Sequence, residues 1–492
     1  MFYDQKKYLS LINFTVKLTG LIILFSLLIP FLYKIFSCFS VNLLPDIFFH
    51  KNEYGTIWQL VLSPALISLS TFIIHIFNGY RYNGPINTKD AIRQPIIPCL
   101  LIGCIFFVFI SRFSTSLLLS AGFSLIITLI LCFFLTASRF YLDQLIVKDN
   151  KNPNFIKHIL ITGTGQKARE TGDYIISHPE CGLRLVGFLT SGQNKEELKK
   201  AAHAVLGTVK DLPDILRSGF VDSIFNSGED LRVEEIEYLV HACAETGIDF
   251  ITPDTGNHAR LKKIGACFSD FINNTPVLIV KFVYRPPELV FAKRMFDFTA
   301  SIILISLSLP IYIAIAAAVK TTSPGPILFR QIRVGKYGRK FILYKFRSMV
   351  AHAETLQEKM NHLNEMDGPV FKIQHDPRLT NTGKFIRNTA LDELPQLFNV
   401  FKGDISLVGP RPAIVKETIQ YRLWERKRLS VAQGITCTWQ VSRRKNRMPF
   451  NVWLQLDQAY IRDWSLAMDF RILLKTVIIV LSMILTRLKK QA

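Results

Sequence analysis

The sequence predicts a membrane protein of mixed class. It divides into an N-terminal four-helix transmembrane bundle over residues 1–150, a central Rossmann-like α/β domain over 151–285, and an α-rich C-terminal domain over 286–492 with a re-entrant membrane helix at about 296–320. Three observations lead there. Apolar residues make up 49% of the 492 positions, too many for an ordinary soluble enzyme, so membrane segments are the first expectation. Short strand-like runs alternate with helical runs in the middle of the chain. The last third crowds Lys and Arg around the adjacent acids Asp392 and Glu393.

The formal net charge of +21 points to an anionic partner: anionic membrane lipid, a nucleotide or nucleic acid. Nucleic acid is disfavoured, because the chain is apolar and carries no nucleic-acid module. The eight cysteines form no Cys-x-x-Cys and no zinc-like spacing, and Cys99, Cys104 and Cys132 lie in apolar runs, so they read as buried thiols.

Within 1–150, apolar runs cover about 11–36, 57–77, 96–110 and 116–135, most of them near the length that spans a bilayer. The first follows Lys6 and Lys7 without a small-residue cleavage site, so it reads as a retained span. Arg81, Lys89 and Arg93 lie in the second loop, and Arg139, Lys148, Lys151 and Lys157 follow the fourth run. The first loop has no basic excess, so both ends of the bundle face the cytoplasm. With few charges inside the runs, Lys17 and Lys34 among them, an anchoring role is favoured over transport.

Residues 151–285 carry strand-like runs at 158–162, 185–189, 221–225 and 249–251, with a helix at about 233–244. Gly163-x-Gly165-x-x-Ala168 resembles a dinucleotide fingerprint. Thr190 and Ser191 stand where a ribose-binding acid is expected, which favours a tight turn without ligand.

Residues 298–319 are long enough to span a bilayer, with Pro310 in the middle. Basic residues flank both ends, and 330–347 adds seven more with no acid. A full span would place that charge outside, against the inward bias. Proline removes a backbone donor and kinks the helix, and Ser306 and Ser308 can satisfy the groups it frees. A helix that enters, breaks at Ser308 and Pro310 and leaves by the same face meets both conditions.

Beyond it, 329–335 and 344–349 read as a basic strand pair whose arginines suit phosphate oxygens. Asp392 and Glu393 precede Pro395, so a helix starting near Leu394 places them at its positive end. The competing reading makes Asp392 a capping acid, since Thr389-x-x-Asp392 has capping-box spacing. Segments 422–428 and 443–447 add eight basic residues against the single acid Glu425. A carboxylate pair amid so many cations suits phosphoryl chemistry: a carboxylate can attack phosphorus, and magnesium takes carboxylate and phosphate oxygens. The apolar helix at 470–488 reads either as interfacial or as a packed terminal helix.

From about 293 to 480 the chain resembles the bacterial polyprenyl-phosphate sugar phosphotransferases, the monotopic phosphoglycosyl transferases. The resemblance rests on Lys-Arg-x-Phe-Asp at 293–297, Ser-Pro-Gly-Pro at 323–326, Lys-Phe-Arg-Ser-Met at 345–349 and Asp-Pro-Arg at 376–378. It continues in Leu-Asp-Glu-Leu-Pro-Gln-Leu at 391–397, Gly-Pro-Arg-Pro at 409–412, Trp-Gln-Val-Ser at 439–442, and Leu456, Asp457 and Tyr460. It implies a C-terminal monotopic catalytic domain that moves a sugar-1-phosphate from a UDP-sugar to undecaprenyl phosphate, releasing UMP, at the first membrane step of exopolysaccharide, capsule or O-antigen synthesis.

The resemblance further implies that Asp392 is the nucleophile that forms a covalent phosphosugar, that Glu393 assists it, and that Mg2+ sits beside Asp392. It implies phosphate or substrate binding by Arg387, with Lys345, Arg378, Arg411 and Arg443 at other basic motif positions; Arg333 and Arg347 join them as candidates from the basic strand pair. It places the enzyme in the bacterial inner membrane with its catalytic domain on the cytoplasmic face, and leaves the sugar and the oligomeric state open, a homo-oligomer included. The sequence departs from the pattern at Ala432-Gln433 and Cys437, around Gly434-Ile435-Thr436, and at Arg443-Arg444.

Two other classes compete. A membrane-bound nucleotide-sugar dehydratase or epimerase needs a Tyr-x-x-x-Lys pair, and the only such pair here is Tyr3/Lys7. A non-catalytic membrane scaffold would be indifferent to loss of Asp392.

Overall fold

The computed structural model describes residues 3–23, 69–71, 73–74, 88–111, 117–148, 156–191, 204–229, 231–254, 256, 259–350, 353, 355–356, 360–371, 373, 376–442 and 448–491. These form two compact units. One is Met1–Ile156 with His178–Leu183; the other is Lys157–Ser177 with Arg184–Ala492.

The first unit contains helices α1 (Tyr3–Ile23), α2 (Thr88–Ser111) and α3 (Leu117–Lys148). Cys99, Ile102 and Phe106 of α2 and Ile127, Leu131 and Leu135 of α3 are buried at three- and four-residue spacing, the spacing of one helical face. Gly103 permits the close approach, since a Cβ there would lie 2.0 Å from Thr128 Oγ1. The outer faces expose Ile97, Leu100, Val108, Leu129 and Phe133.

The expected third and fourth spans fall within α2 and α3, and the first begins in α1 and passes out of the described residues. The second, 57–77, lies almost wholly outside them. The apolar stretches Pro95–Val108 and Ser124–Ser138 are shorter than a full crossing. Residues 69–71 and 73–74 of the second run are also helical, so the described residues show three complete helices and part of another, and do not support a four-span bundle.

The second unit opens with a seven-stranded sheet, ordered β3-β2-β1-β4-β5-β7-β6. The strands are β1 (Lys157–Thr162), β2 (Leu183–Thr190), β3 (Val205–Thr208), β4 (Ser223–Asn226), β5 (Asp249–Pro253), β6 (Ala266–Ile272) and β7 (Thr275–Lys281). β1, β4 and β5 run parallel, as do β2 and β3, and β6 and β7 form an antiparallel hairpin at the edge. Helix α4 (Gln166–Ser177) follows β1, and α5 (Leu212–Ser218) and α6 (Val233–Thr246) flank β4. Leu160, Ile224 and Phe250 of the sheet pack with Leu239 and Cys243 of α6.

The Gly163 turn has φ +98°, which glycine alone adopts readily, and a Cβ there would lie 2.3 Å from Ser227 Oγ. At the head of α4, the Lys167 N–H donates to Glu229 Oε2 at 3.1 Å. The chain's own carboxylate thus takes up a helix N-terminal donor of the kind that contacts a pyrophosphate in dinucleotide domains.

The C-terminal part is built on α7 (Pro287–Thr322) and the antiparallel pair β8 (Leu328–Val334) and β9 (Lys340–Phe346). It continues through α8 (Asn381–Asn388), α9 (Gln396–Lys402), β10 (Ser406–Val408), β11 (Ala413–Ile414), β12 (Gly434–Thr436), α10 (Phe450–Arg462) and α11 (Leu466–Gln491). β11 extends the β8–β9 sheet, and β10 pairs with β12 in parallel.

Helix α7 is unbroken through Pro310, so the expected break at Ser308 and Pro310 is not an interruption of the helix. Ser308 Oγ donates to the Leu304 carbonyl at 2.5 Å, a local bond that serves the backbone just before the proline. Among the described residues, α7 is the one helix long and apolar enough to cross a membrane.

Both ends of α7 grip the same region. Lys293 donates to Asp469 and to the Val408 carbonyl, Arg294 to the carbonyls of Val400 and Phe401, and Asp297 accepts from Leu407 N. Beyond the proline, Tyr312 donates to the Leu394 carbonyl, and Ile315 and Val319 pack with Phe346 and Ile386. Between them Ile303, Leu307, Leu309 and Ile313 are exposed. One face of α11 packs on the core through Ile472, as the packed terminal helix requires, while Phe470, Leu474, Val477, Ile478, Leu481 and Leu485 are exposed.

Candidate active site

Asp392 and Glu393 sit in a single 3-10 turn, Leu391–Glu393, between α8 and α9. Pro395 stands just before α9, not within its first turn, so the acids precede that helix by a separate turn. Ala390 enters the 3-10 turn at φ 58°, a left-handed conformation that costs a non-glycine residue about 1 kcal/mol or more. The capping reading fails here: Thr389 Oγ1 donates back to the carbonyls of Phe385 and Ile386, not toward Asp392.

The acids meet a floor formed by β9 and α9. Asn399 joins the two, donating to the Ile342 carbonyl at 2.7 Å and accepting from Tyr344 N at 3.1 Å. This places Lys345 Nζ 2.8 Å from Glu393 Oε1. Arg411, in the turn at 409–412, approaches the same oxygen at 3.7 Å. Arg333 donates to the Pro412 carbonyl at 3.0 Å, and it lines a pocket with Lys345, Glu393, Gln396, Arg411 and Gly434.

The two acids are electrostatically distinct. Asp392 is 7% exposed, and among the described residues it accepts no hydrogen bond and forms no ion pair. Burial, aided by Glu393 and opposed by Lys345, Arg387 and Arg411, pushes its carboxyl up to about 6. Glu393 is also penalised by burial, but Lys345 and Arg411 outweigh this and hold it down at about 2. One carboxylate is neutralised by cations, and its neighbour is left unpaired in the same wall.

The remaining expected residues are placed as follows. Arg387 is half exposed and lies 3.9 Å from Asp376 Oδ2, close enough to Asp392 to bias its charge. Arg378 is buried and grips Asp376 with two nitrogens at 2.8 and 2.7 Å, so its fork is already filled by protein. Arg347 donates to the Ser323 carbonyl and hydroxyl at 2.6 and 2.8 Å, closing the loop after α7 instead of facing the acids. Arg443 lies outside the described residues. Gln396, Asn399 and Tyr312 were not singled out from the sequence. The Leu-Pro-Gln-Leu run held Gln396 in plain view, but Asn399 carries no local signal.

The described residues hold no group of three or more His, Cys, Asp or Glu able to cage a metal. Magnesium does not require such a group, since it commonly takes one or two carboxylates and fills its shell with water and substrate phosphate.

Residues 289–483 match the bacterial sugar transferase family, and 75–252 match a CoA-binding domain family. The chain is 44% identical over 198 residues to a galactosyl transferase of Streptococcus agalactiae, covering 40% of this chain and 44% of that one. It is 32% identical over 354 residues to the undecaprenyl-phosphate galactose phosphotransferase of Salmonella typhimurium, covering 68% of this chain and 70% of that one. The chain belongs to the bacterial polyprenyl-phosphate sugar phosphotransferases. Another relative is the UDP-glucose:undecaprenyl-phosphate glucose-1-phosphate transferase of Xanthomonas campestris, 29% identical over 340 residues, which are 66% of this chain and 67% of that one. As a polyprenyl-phosphate sugar phosphotransferase the protein is a transferase, and its acids and the cations around them all lie within the matched segment.

Proposed function

We propose that the protein transfers a sugar-1-phosphate from a UDP-sugar to undecaprenyl phosphate in polysaccharide synthesis, through a covalent intermediate on Asp392. The observation that carries this reading is the unpaired, dehydrated Asp392 carboxylate beside a Glu393 that is saturated by Lys345 and Arg411.

In the first step an Asp392 oxygen attacks the β-phosphorus of the donor. An acyl-phosphate bond forms, the bond from β-phosphorus to the bridging oxygen breaks, and UMP leaves with that electron pair. In the second, a phosphate oxygen of undecaprenyl phosphate attacks the same phosphorus, and Asp392 departs as carboxylate. No net proton transfer is required. Glu393 holds Lys345 and Arg411 toward the diphosphate, and Arg333 and Arg387 add positive potential at the transferring group. Magnesium, when bound, supplies further neutralisation of the donor phosphates, with Asp392 as its protein ligand.

The exposed middle of α7, with carbonyl and apolar grips on either side of it, supports a continuous helix that dips into the inner membrane and bends back near Pro310 without an interruption. This holds the acids at the cytoplasmic face, within reach of a lipid phosphate. The basic loops support a multi-pass N-terminal anchor of the same orientation.

The test is UMP release from a panel of UDP-sugars with undecaprenyl phosphate and magnesium. Turnover with at least one donor is expected, and Asp392→Asn lowers it by at least about 10³-fold. Full activity in Asp392→Asn, with no acyl-phosphate trapped on the wild type, would overturn the mechanism.

A further inference from the structure

The turn at 409–412 presents Arg411 to Glu393, and three successive carbonyls of that turn are each held by a different donor. Gly434 N donates to the Pro410 carbonyl at 2.9 Å, and Arg428 Nη2 to the Arg411 carbonyl at 3.3 Å. Arg333 Nη1 donates to the Pro412 carbonyl at 3.0 Å. Arg333 lines the pocket itself, but Arg428 stands behind the turn and is 4% exposed.

Arg428 is fixed from the rear. Its Nη2 lies 2.8 Å from Asp457 Oδ2, on the buried face of α10, and its Nη1 donates to Tyr421 Oη at 3.0 Å. Gln433, wholly buried, donates its amide to the carbonyls of Arg428 and Val431, both at 2.9 Å. Gln433 is also one of the positions where the sequence departs from the family pattern.

This cluster is a poor stabilising device. Among the described residues, Arg428 Nε and Gln433 Oε1 have no hydrogen-bond partner, and neither Asp457 oxygen accepts a well-formed hydrogen bond. A buried ion pair with incomplete hydrogen bonding is commonly no better than apolar residues of similar volume. Its geometry serves the turn instead: the Arg428 fork reaches Tyr421, Asp457 and the backbone of the residue whose side chain meets Glu393.

We infer that Arg428, Asp457 and Gln433 are positioning residues for Arg411, forming a clamp behind the 409–412 turn that aims its guanidinium at Glu393 and at the donor phosphates. The inference rests on the phosphosugar-transfer reading above. It distinguishes these residues from ordinary core polar groups, because their effect must pass through Arg411.

A double-mutant cycle tests this. Asp457→Asn, Arg428→Lys and Gln433→Ala are each measured alone and in an Arg411→Ala background, with the best UDP-sugar of the panel. Each single variant is expected to lower kcat/KM by about 10- to 100-fold, as misplacement of a catalytic-site group does. In the Arg411→Ala background the same changes should cost less than about twofold. Effects that multiply in full in both backgrounds would overturn the clamp. Gln433→Ala leaves all charges in place, so it serves where the charge variants do not fold, as judged by melting temperature in detergent. If the wild type transfers no phosphosugar, the proposed reaction falls, and the cycle is read on UDP affinity by calorimetry. Coupling to Arg411 there supports the clamp, and additive losses or absence of UDP binding overturn it.

Discussion

Asp392 and Glu393 are chain neighbours, yet the fold drives their carboxyls in opposite directions. Glu393 gains from Lys345 and Arg411 more than it loses to burial; Asp392 loses to burial and to Glu393 itself. In the proposed mechanism the donor half-reaction needs Asp392 ionised, so UMP release without lipid acceptor should decline as pH falls through about 6. Glu393→Gln removes one of the charges that raises Asp392, so this limb should move to lower pH, alongside a rate loss of about 10²-fold. The stability consequence has the opposite sense. A carboxyl raised on folding binds more protons in the folded state, so stability falls as pH rises from about 4 to about 6 and stays lower above. Asp392→Asn should therefore raise the melting temperature at pH 7.5 while abolishing transfer; an unchanged or lower value would contradict the buried, unpaired carboxylate.

At the scale of elements, the site is a junction of β9, the 3-10 turn Leu391–Glu393, α9 and the 409–412 turn, brought together by backbone contacts. Gly434 in β12 is where this junction is tightest: a Cβ there would lie 2.1 Å from Gly409 N and 2.6 Å from the Val408 carbonyl carbon. Backbone cannot yield as a flexible side chain does. Gly434→Ala should push the 409–412 turn away from Glu393, destabilising the fold by about 1–3 kcal/mol and reducing turnover. A comparison of thermal melts and UMP release checks both. The Lys-Arg-x-Phe-Asp motif acts at this scale too. Lys293, Arg294 and Asp297 make no contact with the acids; they dock α7 on β10 and α9.

At the scale of the second unit, the β8–β9 hairpin links the Rossmann-like sheet to the active site. Arg339, just before β9, pairs with Asp222 just before β4, and His158 N donates to the same carboxylate oxygen at 2.7 Å. The far end of the hairpin carries Lys345 to Glu393. Burial alone would raise Asp222, but the bonds from His158 and Arg339 outweigh it and hold the carboxyl below its usual range. A depressed carboxyl contributes stability above its unfolded value near 4, and that contribution is lost as pH falls. Arg339→Ala should thus destabilise the protein by about 3–5 kcal/mol at neutral pH and by less near pH 4. Denaturant titration at both pH values checks this, and equal losses at the two would contradict it.

Much of this was legible in the linear chain, because it rests on local rules. Alternation of strands and helices makes the Rossmann-like domain legible through β1, β2, β4 and β5, but not β3 or the β6–β7 hairpin, and the basic pair expected at 329–335 and 344–349 matches β8 while β9 begins earlier, at Lys340. The acids at 392 and 393 stand out by composition alone. Only the tertiary structure decided which cations serve them. Arg347 and Arg378 look equivalent to Arg333 and Arg411 in sequence, yet Ser323 and Asp376 occupy their forks. Likewise only the fold separates Asp392 from Glu393, and only the fold sets Arg428, Asp457 and Gln433 behind Arg411. The reason is physical: a guanidinium's role depends on which acceptors lie within about 3 Å of it, and those acceptors come from segments far apart in the chain.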